Sequence, residues 1–158
     1  MKMSSKHTIE IIEFSEELSE SIKTLNYEWI EKHFRLEVID ITTLSNPQKY
    51  IIDTGGYIYY AKLNGEIVGT VSLIKKSEDV YELSKMAVSN KAQGYGVATI
   101  LLEHCMYVAN KKQLAKLVLY CNTRLKSAMH LYNKFGFKQV ELETGLYERA
   151  DIKLEKTL

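Results

Sequence analysis

Between Met86 and Thr99 the chain reads M-A-V-S-N-K-A-Q-G-Y-G-V-A-T, two glycines ahead of an apolar run of helical period. Residues of these types can hold an anion without a charged side chain. The first amides of a helix lack partners within it and carry a partial positive charge, so they donate to phosphate oxygens. Gly94 and Gly96 clear side chains from the backbone where an anion must come close, and Ala98 keeps the first turn narrow. The same stretch also reads as a plain strand-to-helix turn with glycines used for packing. A phosphate loop would need a lysine and a hydroxyl after the second glycine, where Val97 and Ala98 stand. A dinucleotide fingerprint asks for Gly or Ala at Thr99 and an acid closing the second strand, which here ends at Cys121. His7, His33, His104 and His130 show no metal-ligand spacing, so no metal is expected, and His104 reads as a core residue. Cys105 and Cys121 fall at apolar positions, as small buried hydrophobes do.

The elements around that turn follow from periodicity. Thr8 to Phe14 alternates as a first strand, and Ser15 with Glu16 and Glu17 suits a helix start. Leu18, Ile22, Leu25 and Trp29 line one face of that helix. From Glu31 to Thr54 the pattern is irregular, with room for one short helix near Asn46-Pro47. Tyr57 to Leu63, the Asn64-Gly65 turn, Ile67 to Lys75 and Val80 to Val88 form an antiparallel meander. A helix through Val97, Leu101, Cys105 and Val108 leads to a short apolar strand, Leu117 to Cys121, which should run parallel to its predecessor. A second helix carries Leu125, Ala128, Met129, Tyr132 and Phe135 on one face and ends at Gly136. Phe137 to Leu142 and Tyr147 to Leu154 read as closing strands. The order is β-α-β-β-β-α-β-α-β-β, an α/β fold with a mixed sheet and helices on its faces. With 158 residues, 46% of them hydrophobic, the chain is expected to form one domain, 1–158, with its core at about 8–155. A net charge of +1 argues against nucleic acid, the apolar runs are too short for a membrane span, and two cysteines point to a reducing cytoplasm. The opening residues Met1 to His7 carry no apolar segment of signal-peptide type.

Gln93-x-x-Gly96-x-Ala98 resembles the Q/R-x-x-G-x-G/A motif of the GCN5-related N-acetyltransferase (GNAT) superfamily. Ala128-Met129-His130-Leu131-Tyr132-Asn133-Lys134-Phe135-Gly136-Phe137 is similar to that family's A-x-x-x-Y-x-x-x-G-F stretch, in the expected order and some thirty residues on. The resemblance implies a mostly antiparallel central sheet and acetyl-CoA as cosubstrate. It implies that the pyrophosphate lies on the amides of Gln93, Gly94, Tyr95, Gly96, Val97, Ala98 and Thr99. The pantetheine arm would add like a strand to Met86, Ala87 and Val88, because diverging parallel strands leave backbone groups free. Asn122 either contacts that arm or caps the next helix with Thr123; many relatives place an asparagine where Leu125 stands here. Lys126 and Lys134 are candidates for the 3′-phosphate.

The resemblance also makes Tyr132 the group near the thioester sulfur that assists the departing thiol, although its spacing equally fits a core residue. An amine acceptor is mostly protonated at pH 7, so a general base helps. Glu82 is the candidate base, on the face of Ser84, Met86 and Val88 and opposite Tyr81, Leu83 and Lys85; a solvated strand glutamate is the plainer reading. The acceptor pocket is expected from Tyr27 to Tyr50 and around Tyr147. There Glu31, Glu37 and Asp40 could attract an amine, Arg35 a carboxylate, and Tyr27, Trp29 and Phe34 could form apolar walls. Direct acetyl transfer to a primary amine of a small molecule, peptide or protein is the leading expectation. A non-catalytic acyl-CoA sensor and a nucleotide-binding regulator are the alternatives. The resemblance allows a homodimer.

Overall fold

A computed structural model describes residues 8–143 and 147–158, so the expectations placed on residues 1–7, His7 included, lie outside it. The elements are β1 (Ile9–Glu13), α1 (Ser19–His33), α2 (Val38–Ser45), β2 (Tyr57–Leu63), β3 (Glu66–Lys75), β4 (Val80–Val88), α3 (Val97–Lys111), β5 (Lys116–Cys121), α4 (Lys126–Lys134), β6 (Lys138–Val140) and β7 (Ile152–Thr157). They build one seven-stranded sheet in the order β1-β2-β3-β4-β5-β7-β6, antiparallel except between β4 and β5.

Alternation along β2 divides the core. Tyr59 and Ala61 enter a cluster with Leu101, Leu102 and Cys105 of α3. Ile58 and Tyr60 point the other way, into a cluster with Ile22 of α1 and Leu44 of α2. Neighbouring strand residues face opposite sides, so α1 and α3 cover opposite faces of the sheet. The β2–β3 hairpin turns through Asn64 at φ 52° and Gly65 at φ 87°, the two positive φ values a two-residue turn requires. At Gly69 the helix comes close: a Cβ there would lie 2.7 Å from Val97 Cγ1, so this glycine lets the start of α3 settle on the sheet.

Three expectations need correction. The 31–54 region holds a full helix, α2, and a π-helical turn, Gln48–Ile52. Helix α2 leaves no amphipathic signature because Val38, Ile39 and Ile41 face outwards; its start is fixed by the Glu37 N–H donating to Asp40 Oδ2 at 2.9 Å. The last strand begins at Ile152 rather than Tyr147, since the amides of Glu148 and Arg149 bond to the Glu37 carboxylate instead of a ladder. The strand before it is confined to Lys138–Val140.

Candidate active site

Parallel pairing between β4 and β5 covers only Val80, Tyr81 and Glu82 against Lys116, Leu117 and Val118. Beyond Glu82 the two strands part, and the second half of β4 presents an edge with no strand on that side. The divergence is reinforced by a β-bulge. Thr70 pairs with Ala87 and Ser72 with Ser84, so two β4 residues stand opposite Val71 alone. Lys85 takes φ 54° there, a strained conformation for a non-glycine residue. It is held in place by the Asn26 side-chain amide, which donates to its carbonyl at 3.2 Å.

The bulge overturns the expected facing of Lys85. It interrupts alternation, and the Lys85 ammonium lies 5.3 Å from the Tyr147 ring centre, whose hydroxyl donates to Glu82 Oε2 at 3.3 Å. Lys85 and Glu82 thus share one side.

Two cavities occupy the gap and meet at Trp29, Met86, Leu125, Ala128 and Tyr132. The larger, about 610 Å³, runs along Met86, Ala87 and Val88 to Gln93 and Ala98 at the α3 turn. That turn is uncapped: no side chain bonds to the first amides of α3, and the first helical bond is from the Ile100 N–H to the Gly96 carbonyl. Among the described residues the N–H groups of Gly94, Gly96, Val97, Ala98 and Thr99 have no backbone acceptor. Gly94 and Gly96 stand at φ 87° and 77°, and a Cβ on either would meet nothing within 4 Å. Their use here is conformational, and the space outside them is open. Of the expected binding residues, Gln93 turns its side chain back to the Val88 carbonyl at 3.2 Å, and Val97 is buried in the core. Tyr95 is partly exposed. Five unmatched amides at the positive end of a fifteen-residue helix fit a diphosphate. Lys126 lines the same cavity, together with Lys32, His33 and Arg124.

The smaller cavity, about 90 Å³, lies against Glu82, Lys85, Tyr120, Tyr147 and Arg149. Glu82 is 2% exposed, far from the solvated strand glutamate of the plainer reading, and its other oxygen lies 3.1 Å from the Lys76 ammonium. Asp40 is fully buried behind this wall. It accepts from Arg149 at 2.6 and 2.7 Å, from Lys85 at 3.1 Å and from the Glu37 N–H at 2.9 Å. Burial alone would raise the Asp40 carboxyl, but the Arg149 hydrogen bond and the Lys85 charge together hold it below the usual range. Burial pulls Lys85 below the ordinary lysine value despite Asp40. Tyr132, where the cavities join, is buried with its ring 5.9 Å from Phe137, and burial pushes its phenol above the ordinary value. Cys121 lines the smaller cavity with its thiol likewise raised by burial, hence protonated.

Asn122 uses both ends of its amide within the protein, donating to the Arg149 carbonyl at 2.7 Å and accepting from the Arg124 N–H at 2.9 Å. The second bond closes a local side-chain turn ahead of α4, whose own cap position, Leu125, makes no side-chain bond. Glu31 and Arg35 are exposed, and Tyr27 packs in the α1 cluster. Glu37 and Asp40 act behind the wall, on Lys85 and Arg149, which periodicity did not single out. For Lys85 the available signal was a second ionisable residue, three positions after Glu82, inside a buried strand; Arg149 lies outside the strands and left none. Among the described residues, no group of three or more His, Cys, Asp or Glu could hold a metal, and no helix is long and apolar enough to cross a membrane.

A family model described as acetyltransferase (GNAT) family matches residues 15–137. The chain is 35% identical over 95 residues to N-acetylaspartate synthetase of Xenopus tropicalis, an alignment covering 59% of this chain and 35% of that one. It is 25% identical over 116 residues to N-acetyltransferase 8 of Rattus norvegicus, covering 70% of this chain and 50% of the relative. The chain therefore spans between a third and a half of the length of these relatives. Its fold is that of a GNAT-family acetyltransferase from Staphylococcus aureus Mu50, with TM-score 0.84, 19% identity, and 95% and 99% of the two chains covered. A PaiA N-acetyltransferase from Thermoplasma acidophilum, solved in complex with coenzyme A, aligns with TM-score 0.74 at 18% identity over 96% and 99%.

Proposed function

The chain belongs to the GNAT acetyltransferase family, and from that premise we propose that it transfers acetyl from acetyl-CoA directly to a primary amine, as one domain spanning residues 1–158. One observation carries the reading. Five amides without a backbone acceptor belong to the turn whose Gln93 and Ala98 line one end of the larger cavity, and a buried tyrosine and a buried carboxylate line the smaller cavity that adjoins it. Gly94, Gly96, Val97, Ala98 and Thr99 would hold the diphosphate, and the free edge at Met86, Ala87 and Val88 would hold the pantetheine amides. Bound there, acetyl-CoA supplies an activated acyl group as a thioester.

The protein's own groups then divide the work. Tyr132 donates a hydrogen bond at the junction of the cavities, where sulfur gains charge. An ordinary phenol would already transfer its proton to a thiolate uphill by roughly 1.5 pK units, or about 2 kcal/mol, and burial raises this phenol further. Stabilisation by a strengthening hydrogen bond is therefore its role, rather than full transfer. Glu82 accepts the proton of the attacking amine, which must be neutral to react.

The test is thermal stability with acetyl-CoA and with CoA, followed by thiol release across an amine panel. Stabilisation with turnover is expected. Stabilisation without turnover on any amine would favour a sensor, and stronger stabilisation by ATP or NAD would favour a nucleotide-binding regulator.

A further inference from the structure

Among the described residues, the buried Lys85 ammonium has a single hydrogen-bond partner. Its side chain is 3% exposed and lines the smaller cavity. An ammonium has three hydrogen-bond donors. Among the described residues one of them is used, toward Asp40 Oδ1 at 3.1 Å, and the Tyr147 ring 5.3 Å away is its other contact. Asp40 offers little more, because Arg149 grips both of its oxygens at 2.6 and 2.7 Å and the Glu37 amide takes a further site. Lys85 is the longest of these four contacts. Two donors of a buried ammonium that lines the cavity are thus without a hydrogen-bond partner among the described residues, and leaving such groups unmatched is costly.

The opposite charge stands one phenol away. Tyr147 places its ring beside Lys85 and its hydroxyl on Glu82, so a cationic and an anionic group flank a single side chain. A small molecule carrying an amine and a carboxylate, each making a hydrogen bond of ~3 Å, can bridge that span. The cavity of about 90 Å³ holds several water-sized groups and so admits a small molecule.

Accepting the acetyl-transfer reading above, we infer that the acceptor is a free amino acid or a molecule of that class, its carboxylate received by Lys85 and its amine presented to Glu82. The carboxylate completes the donors that Asp40 leaves open. An acceptor without it buries those donors unmatched, and a peptide N-terminus replaces it with a neutral amide.

The experiment measures kcat/KM with acetyl-CoA for free amino acids, their decarboxylated amines, their carboxamides and a short peptide. The best amino acid is expected to exceed its amine and its carboxamide by about 10²-fold or more, as sites built around a buried charged hydrogen bond do. Lys85→Met should collapse that ratio while thermal stabilisation by acetyl-CoA persists; Lys85→Arg should retain part of it. The wild-type ratio alone decides the matter if the variants fold poorly. Equal or better turnover of the amine, the carboxamide or the peptide by wild-type protein overturns this inference and leaves the acetyl-transfer reading standing. Absence of stabilisation by acetyl-CoA, or of turnover on every amine, overturns both.

Discussion

At the scale of single residues, Tyr132 and Glu82 make separable contributions. Tyr132→Phe keeps the ring against Phe137 and removes only the hydroxyl. Its kcat should fall about 10- to 100-fold, the worth of one hydrogen bond to a charged atom, with acetyl-CoA stabilisation unchanged. An unaltered kcat under conditions where chemistry limits turnover would remove Tyr132 from the mechanism. Glu82→Gln should lower kcat/KM by about 10²-fold or more at pH 7. The deficit should narrow as pH rises toward the acceptor's own pKa, because solvent then delivers the neutral amine; a deficit constant with pH would make Glu82 structural. The glycine turn was readable as a strand-to-helix junction because its spacing is local, whereas Tyr132 was singled out only through the family resemblance, its spacing fitting a core residue equally. Lys85 was not readable, because its facing depends on a bulge set by the register of β3 against β4, which no pattern within β4 records. Arg149 was hidden for a related reason: it lies between elements, and its partners Glu37 and Asp40 are more than a hundred residues away.

Among the elements, α2 and the segment from Tyr147 to Asp151 are joined by two carboxylates, Glu37 at the helix start and the fully buried Asp40. Asp40 is held below the usual carboxylate range in the folded chain. A depressed value means that its stabilisation is present above the unfolded carboxylate pKa, about 4, and lost as pH falls through the folded value. Wild-type stability should therefore decline below about pH 4. Asp40→Asn leaves Lys85 buried without its counter-charge and Arg149 with Glu37 alone, and should cost about 3–5 kcal/mol at pH 7, with a flatter acid profile. Denaturant titrations at pH 7 and pH 4 measure both effects, and an Asp40→Asn protein as stable as wild type would show that solvent reaches these cations. Helix α2, the short helix expected within residues 31–54, could not be placed from the sequence for the same reason that it depends on this clasp. Its apolar residues Val38, Ile39 and Ile41 face outwards, so tertiary ion pairs rather than an amphipathic stripe hold it. The meander from Tyr57 to Val88 was legible almost to the residue, since alternation and an Asn-Gly turn are properties of neighbours.

For the whole molecule, the divergence of β4 from β5 predicts coupling between ligand and fold. The gap is walled by α1, β4 and α4, whose mutual packing is interrupted where the cavities lie. A ligand bridging these elements binds the folded chain only, and at a hundred times its dissociation constant stabilises it by about 2.7 kcal/mol. For a chain of this size that corresponds to a rise in Tm of roughly 5–10 °C. The protein carries its own reporter: Trp29 is the single tryptophan, half-buried on α1 and lining both cavities. Acetyl-CoA should change its fluorescence at the same concentrations that raise Tm. A free amino acid added afterwards should change it again, since the smaller cavity shares the indole. If unfolding by tryptophan fluorescence and by far-ultraviolet circular dichroism coincide, with and without ligand, the sheet and α1 melt as one cooperative unit. If the indole signal moves first and acetyl-CoA leaves the sheet transition in place, α1 opens on its own, and the site must be assembled by the ligand instead of being held ready by the fold.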